Sequence, residues 1–166
     1  MKEKITNKNI GINYLGKVKI ALMKDGKEIK TLKVKNTGCI DLFKFLSNCL
    51  LGNLRQLDSP QYIMVHHLES GNPTPSNLGT PLLNTSIYKA SQQQIVDTNA
   101  NESSARIRFL IPSNAFISSD TGNVISLING DSDIMAYIKL TDEIDPASLP
   151  VDSNLVIVWE LNIANK

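Results

Sequence analysis

"KVKIALMKDGKEIKTLKVKN", residues 17 to 36, decides the fold class, because both of its halves alternate apolar residues with lysines. This period of two is typical of a β-strand with one buried face and one solvated face. Between the halves, Asp25-Gly26 supplies two residues that accept positive φ, as a tight hairpin turn requires. Ile29 has the wrong parity for the apolar face of the second half, which indicates a β-bulge beside the turn. The sequence therefore predicts a β-hairpin.

The segment that follows the hairpin changes its period. In "CIDLFKFLSNCLLGN", residues 39 to 53, apolar residues recur three and four positions apart, which is the spacing of one face of a helix. We predict one buried α-helix inserted after the N-terminal hairpin, with Thr37 as its N-cap and Gly52 at its end. Cys39 and Cys49 would lie about 15 Å apart along this helix, too far for a disulfide, so we expect two apolar core residues.

The rest of the chain consists of alternating segments separated by turn residues. Residues 82 to 112 suggest a strand, a polar stretch and a second strand, in which Arg106 and Arg108 point outward. The other strand-like segments are "QYIMVHHL" at 61 to 68, "DIMAYIKL" at 133 to 140 and "NLVIVWELNI" at 154 to 163. We predict a mainly β fold, an antiparallel, jelly-roll-like β-sandwich that forms a single domain over residues 17 to 166. Residues 1 to 16 are polar and are expected to be a flexible N-terminal arm.

Composition limits the class of protein. Hydrophobic residues make up 42% of the 166 residues, which is too high for a disordered chain. No apolar run reaches the roughly 18 residues of a membrane span. No apolar stretch follows the N-terminal lysines, so we expect no signal peptide and synthesis in a cytoplasm.

Charge is distributed unevenly along the chain. Through Lys35 there are ten lysines and three acidic residues, a balance of +7, whereas the remainder has seven basic and thirteen acidic residues, a balance of −6. The lysines are explained by a solvated strand face, by an interface with an acidic neighbouring subunit or by nucleic-acid binding. Nucleic acid is disfavoured because no arginine or aromatic residue accompanies these lysines. The candidate assembly contacts among them are Lys17, Lys19, Lys33 and Lys35.

His66 and His67 are the only imidazoles in the chain and are adjacent in a predicted strand. Neighbours in a strand point to opposite faces, so one strand does not aim both at one metal ion. Glu69 raises the count to two ligands at best on one face, and a zinc site needs three or four. We therefore predict no metal, no cofactor and no catalytic residue within one chain, although symmetry-related histidines in a ring of subunits remain an alternative. Motifs that mark a nucleophile or a phosphate-binding loop are also absent from the sequence.

The loop after these histidines, "ESGNPTPSNLGTP", is rich in proline. Proline fixes φ and lacks a backbone donor, so we expect this segment not to pair inside a sheet. A stiff loop loses little entropy when it docks on a partner. We therefore add His67, Pro73, Pro75 and Pro81 to the candidate assembly contacts.

The order of these segments resembles a family of tailed-bacteriophage virion proteins. The resemblance covers roughly residues 17 to 163 and is carried by an N-T turn before a helix with L-F-x-x-L, by a proline loop and by a closing strand with W-x-L-x-I. These three motifs occur here in "KNTGCIDLFKFL", "SGNPTPSNLGTPLL" and "LVIVWELNI". Between the last two, the family has a long strand and a strand resembling L-x-A-x-x-x-L, which occur here as "RIRFLIPSNAF" and "IMAYIKL". The Lys, Asn and Ile-rich usage is compatible with an AT-rich genome such as that of a crAss-like phage.

The resemblance implies a non-enzymatic structural protein of the virion, assembled in the host cytoplasm. It implies first a capsid auxiliary (decoration) subunit that contacts the major capsid protein and its own copies. A ring or adaptor of the neck or tail, which contacts portal or tail proteins, is one alternative. A tail module that binds a receptor or glycan on the host surface is another. Each implies a homo-oligomer with virion proteins as partners, without membrane contact, and nucleic acid is not the expected partner.

Overall fold

A computed structural model describes residues 12–38, 41–42, 44–45, 48, 52–53, 55, 59–83, 88–89, 92–98 and 102–165. Within these ranges the chain forms eleven β-strands and two short 3-10 turns, Ser113–Ala115 and Pro146–Ser148. The strands are β1 (Ile12–Lys24), β2 (Lys27–Lys35), β3 (Thr37–Gly38), β4 (Pro60–His67), β5 (Thr80–Pro81), β6 (Tyr88–Lys89), β7 (Gln92–Thr98), β8 (Glu102–Pro112), β9 (Gly122–Asn129), β10 (Ile134–Ile144) and β11 (Asn154–Asn165).

The described strands form two antiparallel sheets. The first sheet has five strands in the order β2-β1-β11-β8-β7. The second has six strands, with the path β3-β10-β9-β4-β5 and with β6 also paired to β4. The prediction of a mainly β, antiparallel protein is confirmed.

The N-terminal hairpin forms as the sequence predicts. Asp25 and Gly26 have φ values of 51° and 73°, which is the pair of positive angles that a two-residue turn needs. The register passes from Leu22 opposite Lys30 to Met23 opposite Glu28. Ile29 is therefore the extra residue of a β-bulge, as its parity predicted.

Both sheets contribute to one apolar core. Val18 and Trp159 of the first sheet and Ile125 and Ile138 of the second belong to the same cluster of buried side chains. Each of these four residues is at most 1% exposed. Because side chains alternate along a strand, burial of Val18 places Lys17 and Lys19 on the outer face of the first sheet.

The expected flexible arm of residues 1 to 16 overlaps a strand. β1 begins at Ile12, which pairs with Asn165, and the pairing continues to Gly16 opposite Leu161. Residues 12 to 16 are therefore part of the first sheet, because the long closing strand β11 supplies backbone partners that composition does not reveal. The remainder of the expected arm, residues 1 to 11, lies outside the described residues.

The buried helix predicted between Thr37, its N-cap, and Gly52, its end, is not supported as a continuous element. The described residues of this range that have helical backbone are Asp41, Leu42, Lys44, Phe45 and Asn48, and Gly52 lies in a turn. No α-helix is delimited in the described part of the chain. Leu42 is fully buried and Phe45 packs against the core, so these two side chains face the inside of the molecule. Cys39 and Cys49 lie outside the described residues.

The prediction of a polar stretch between two strands, in the segment before β8, is wrong for residues 92 to 98. These residues form β7, which pairs with β8 from Gln92 opposite Arg108 to Thr98 opposite Ser103. β7 lies at the edge of the five-stranded sheet. An edge strand is hydrogen-bonded on one side only and tolerates a polar sequence, which is why its composition resembles that of a loop.

Candidate functional site

Four of the predicted contact residues meet on the outer face of the first sheet. The register of β1 and β2 places Lys17 directly opposite Lys35 and Lys19 directly opposite Lys33. Residues directly opposite each other in a ladder point to the same face, so all four ammonium groups lie on one surface. Like charges placed directly opposite each other destabilise a strand pair. The hairpin therefore carries an electrostatic cost that folding alone does not require.

Two arginines complete this surface from the other side of β11. Arg106 lies opposite Glu160, which in turn lies opposite Lys17. Arg108 lies opposite Val158 in the next row of the sheet. The alternation of residues in β8 predicts an outer face for both arginines, but the sequence alone does not join them to the lysines. That step needs the strand order, which puts β11 between β1 and β8.

An open groove of about 730 Å³ runs along this face. We call it the basic groove; its charged and central lining residues are Lys17, Lys19, Lys33, Lys35, Arg106, Arg108, Val158 and Glu160. Lysines of β1 and β2 form one wall, arginines of β8 form the other, and β11 runs between them. The groove is thus suited to an anionic partner that lies along the strand direction.

Two carboxylates offset part of this positive charge. The Arg106 Nε donates to Glu160 Oε2 at 2.7 Å, and the Lys19 Nζ lies 2.7 Å from Glu28 Oε2. The hydrogen bond from Lys19, followed by one from Thr31, holds the pKa of the Glu28 carboxyl below its usual value. Six cations against these two carboxylates leave a balance of +4 on the surface.

Lys17 and Lys35 keep their charges available. Both side chains are exposed. Neither makes a salt bridge with any residue that the structure describes. These two lysines are therefore the cations in the basic groove that an external anion can pair with at the smallest internal cost.

The two histidines have separate environments, as their alternation in β4 predicts. His66 is buried, and its Nε2 lies 2.9 Å from the Ser126 Oγ. Burial lowers the pKa of His66 to about 4, so the ring is neutral near pH 7. The His67 Nδ1 donates to the Thr121 carbonyl oxygen at 2.8 Å, because a carbonyl only accepts.

The described residues do not form a metal-binding site. They contain no group of three or more His, Cys, Asp or Glu side chains that is placed to hold a metal ion. His66 is only 7% exposed and Ser126 is fully buried, so a substrate has no access to this pair of side chains. The His66–Ser126 hydrogen bond is therefore a buried structural contact beneath the loop.

The proline loop is ordered by its own hydrogen bonds. Thr74 and Asn77 exchange two backbone hydrogen bonds, at 3.0 and 2.9 Å, around the turn that contains Pro75. Pro75 and Pro81 are exposed, whereas Pro73 is buried. That Pro75 and Pro81 contact a partner stays a prediction. Pro73 is no longer proposed as a contact, because it is buried.

The expectation that this loop does not pair in a sheet is wrong for its last residues. Thr80–Pro81 forms β5, with Thr80 opposite His67 and Pro81 opposite His66. β5 lies at the end of the strand path of the second sheet. A proline is tolerated on an edge strand because its missing donor then faces away from the neighbouring strand.

Comparisons with known proteins add no assignment. No protein-family model, no curated protein and no solved structure matches this chain. Among the described segments, no helix is both long and apolar enough to cross a membrane. Among the described residues, the basic groove is therefore the surface feature that indicates a binding function.

Proposed function

We propose that this protein is a non-enzymatic structural subunit of a tailed-phage virion, and in the first place a capsid auxiliary (decoration) subunit. Such a subunit contacts the major capsid protein and its own copies. Two observations support the proposal: the resemblance in segment order and the basic groove. The groove carries the argument, because it is a rigid, charged surface on a sheet rather than a reaction site.

The opposed lysines favour a binding role for this face. The pair Lys17–Lys35 costs stability in the isolated chain, whereas Glu28 offsets part of the repulsion between Lys19 and Lys33. An anionic surface placed over the groove removes that repulsion and gains attraction instead. Natural proteins commonly give up stability where function needs it. The arrangement therefore fits a chain whose working state is an assembly.

A protein partner fits the groove better than nucleic acid. No Phe, Tyr or Trp is among the described residues that line it. Single-stranded nucleic acid is usually held by bases stacked on aromatic rings, and a duplex is usually read by an element that enters a groove. A broad sheet face supplies neither feature. Carboxylates of another protein subunit match it in charge.

The finer architecture belongs to the same proposal. One core built from both sheets supports a jelly-roll-like sandwich, in which two sheets face each other across a layer of side chains. That architecture gives the rigid body that a shell or ring subunit requires.

Copy number in the particle tests the proposed function. Quantitative mass spectrometry of purified virions of the phage that encodes this chain measures the ratio of this protein to the major capsid protein. A host cytoplasmic protein measured in the same particles sets the background. A ratio of the same order as the capsid protein supports the decoration subunit. Around a dozen copies per particle support the neck or tail ring, since a ring closes by cyclic symmetry. A ratio at background overturns the proposal.

A further inference from the structure

Carboxylates gather at one end of the molecule, away from the basic groove. Ile144 of β10 pairs with Gly122 of β9, and Thr121 Oγ1 donates to Glu143 Oε2 at 2.8 Å. The connection from β10 to β11 then reaches Ser153, whose carbonyl accepts from Ser113 N at the end of β8. We call this region the acidic end; its carboxylates are Asp120, Asp142, Glu143, Asp145 and Asp152.

The acidic end keeps a negative balance after its cations are counted. Lys30 pairs with Asp142, with the two charged atoms 2.6 Å apart. Lys24 and Lys27 flank the hairpin turn at this end, where Asp25 adds one more carboxylate. Six carboxylates against these three lysines leave a balance of −3.

Charge excludes a symmetric dimer through the basic groove. A two-fold contact would place the same surface on both sides and would oppose two surfaces that each carry six cations against two carboxylates. Contact between copies through this groove must therefore be heterologous, with a different surface of the second copy. The acidic end is the described surface of opposite charge.

Two carboxylates of the acidic end also match the spacing of the groove. Glu143 is in β10, and Asp145 two residues later has extended backbone, with φ −92° and ψ 106°. Alternate residues of an extended chain repeat every ~6.6–6.8 Å. Lys17 and Lys19 in the groove are spaced by the same two-residue step along β1.

We propose that the basic groove binds the acidic end of a second copy of this chain, so that copies join head to tail. The groove lies on a sheet face and the acidic end lies at the strand ends, so one copy engages two neighbours at once. Head-to-tail contacts generate closed rings or open arrays rather than dimers. This inference rests on the proposed function in requiring a self-assembling subunit, and it names the surfaces involved.

Two neutralised variants of the full chain test the contact. The groove variant is Lys17→Gln with Lys35→Gln, which removes two cations that hold no salt bridge with the described residues. The acidic-end variant is Glu143→Gln with Asp145→Asn, which keeps oxygen acceptors for Thr121 Oγ1 and Ala147 N. The measurement is sedimentation velocity at low and high salt.

The wild-type protein is expected to self-associate as its concentration rises at low salt. Each variant is expected to self-associate with an affinity at least about tenfold lower. A mixture of the two variants is expected to form one-to-one dimers that grow no further. In that mixture the intact acidic end of one variant meets the intact groove of the other. Lys24→Gln with Lys27→Gln is the matched control, since it removes two cations from the other end and is expected not to weaken association.

Three results would overturn the inference. They are a wild type that stays monomeric at about 100 μM, variants that associate as wild type does, and a mixture without dimers. Binding of duplex DNA in the groove, lost on Lys17→Gln and without self-association, would also overturn it. A chain that is abundant in virions yet fails these tests refutes the head-to-tail contact alone. A chain absent from virions refutes the proposed function alone.

Discussion

Replacement of Lys35 by glutamate is expected to stabilise the isolated protein. Lys35 lies directly opposite Lys17 on the outer face of the first sheet, and both side chains are exposed. Glutamine at this position removes a like-charge cross-strand pair, and glutamate replaces it with an opposite-charge pair. The glutamine variant should therefore gain part of the stabilisation and the glutamate variant all of it.

The magnitude follows from cross-strand pair energies. Each of the two steps contributes roughly 0.2–1 kcal/mol, so Lys35→Glu should raise the free energy of unfolding by about 1 kcal/mol. For a chain of this length that corresponds to a rise in melting temperature of about 2–4 °C. At 1 M salt the screening length falls to about 3 Å, so most of the gain should disappear.

Urea denaturation at micromolar protein concentration measures this gain at 20 mM and at 1 M NaCl. Thr31→Glu is the matched control, because Thr31 is on the same strand opposite Ala21 and its hydroxyl donates to Glu28. That control should not stabilise, since it adds a like charge beside Glu28 and removes a hydrogen bond. A Lys35→Glu variant no more stable than wild type at low salt, or a gain that persists at 1 M salt, would refute the reasoning.

Three further expectations concern the core, the loop and the buried histidine. Phe109→Ala should lower the free energy of unfolding by roughly 3–5 kcal/mol, measured by urea denaturation, because the ring is fully buried. Gly79→Ala should shift the thermal midpoint well below that of Gly71→Ala. Both glycines have positive φ, but of the two only Gly79 has a neighbour that an added Cβ would clash with, the His67 carbonyl oxygen. Burial lowers the pKa of His66 in the folded protein to about 4 from its ordinary value of 6.5. Stability should therefore be complete above about pH 6.5 and fall by at most about 3 kcal/mol toward pH 4, and His66→Gln should abolish this slope in urea denaturation.

Local patterns predicted the features that depend on one strand and its turn. The positive φ of Asp25-Gly26 and the bulge at Ile29 followed from residue type and from parity alone. Burial of Phe109 and Trp159 followed from the alternation of their strands. These predictions succeeded because side-chain direction repeats every two residues, whatever the strand pairs with.

The features that were missed depend on partners distant in the chain. Residues 12 to 16 are a short stretch at the end of a polar segment and residues 92 to 98 are mostly polar, and both become strands because β11 and β8 offer them backbone groups. The candidate site has the same origin. Lys17 was singled out from the sequence, but Arg106 joins it only because β11 lies between their strands. Strand order is set by the packing of the whole core and leaves no local signal.

Protection of an exposed sheet edge is the main competing explanation for the lysines. Lysines on an edge strand discourage pairing with other chains, and β2 is an edge strand that contains Lys33 and Lys35. Edge protection therefore predicts cations confined to β2. Lys17, Lys19 and Arg106 are on β1 and β8, which are hydrogen-bonded on both sides and have no edge to protect. Cations that cross the sheet from its edge to an inner strand are instead what an anionic partner lying over the face requires.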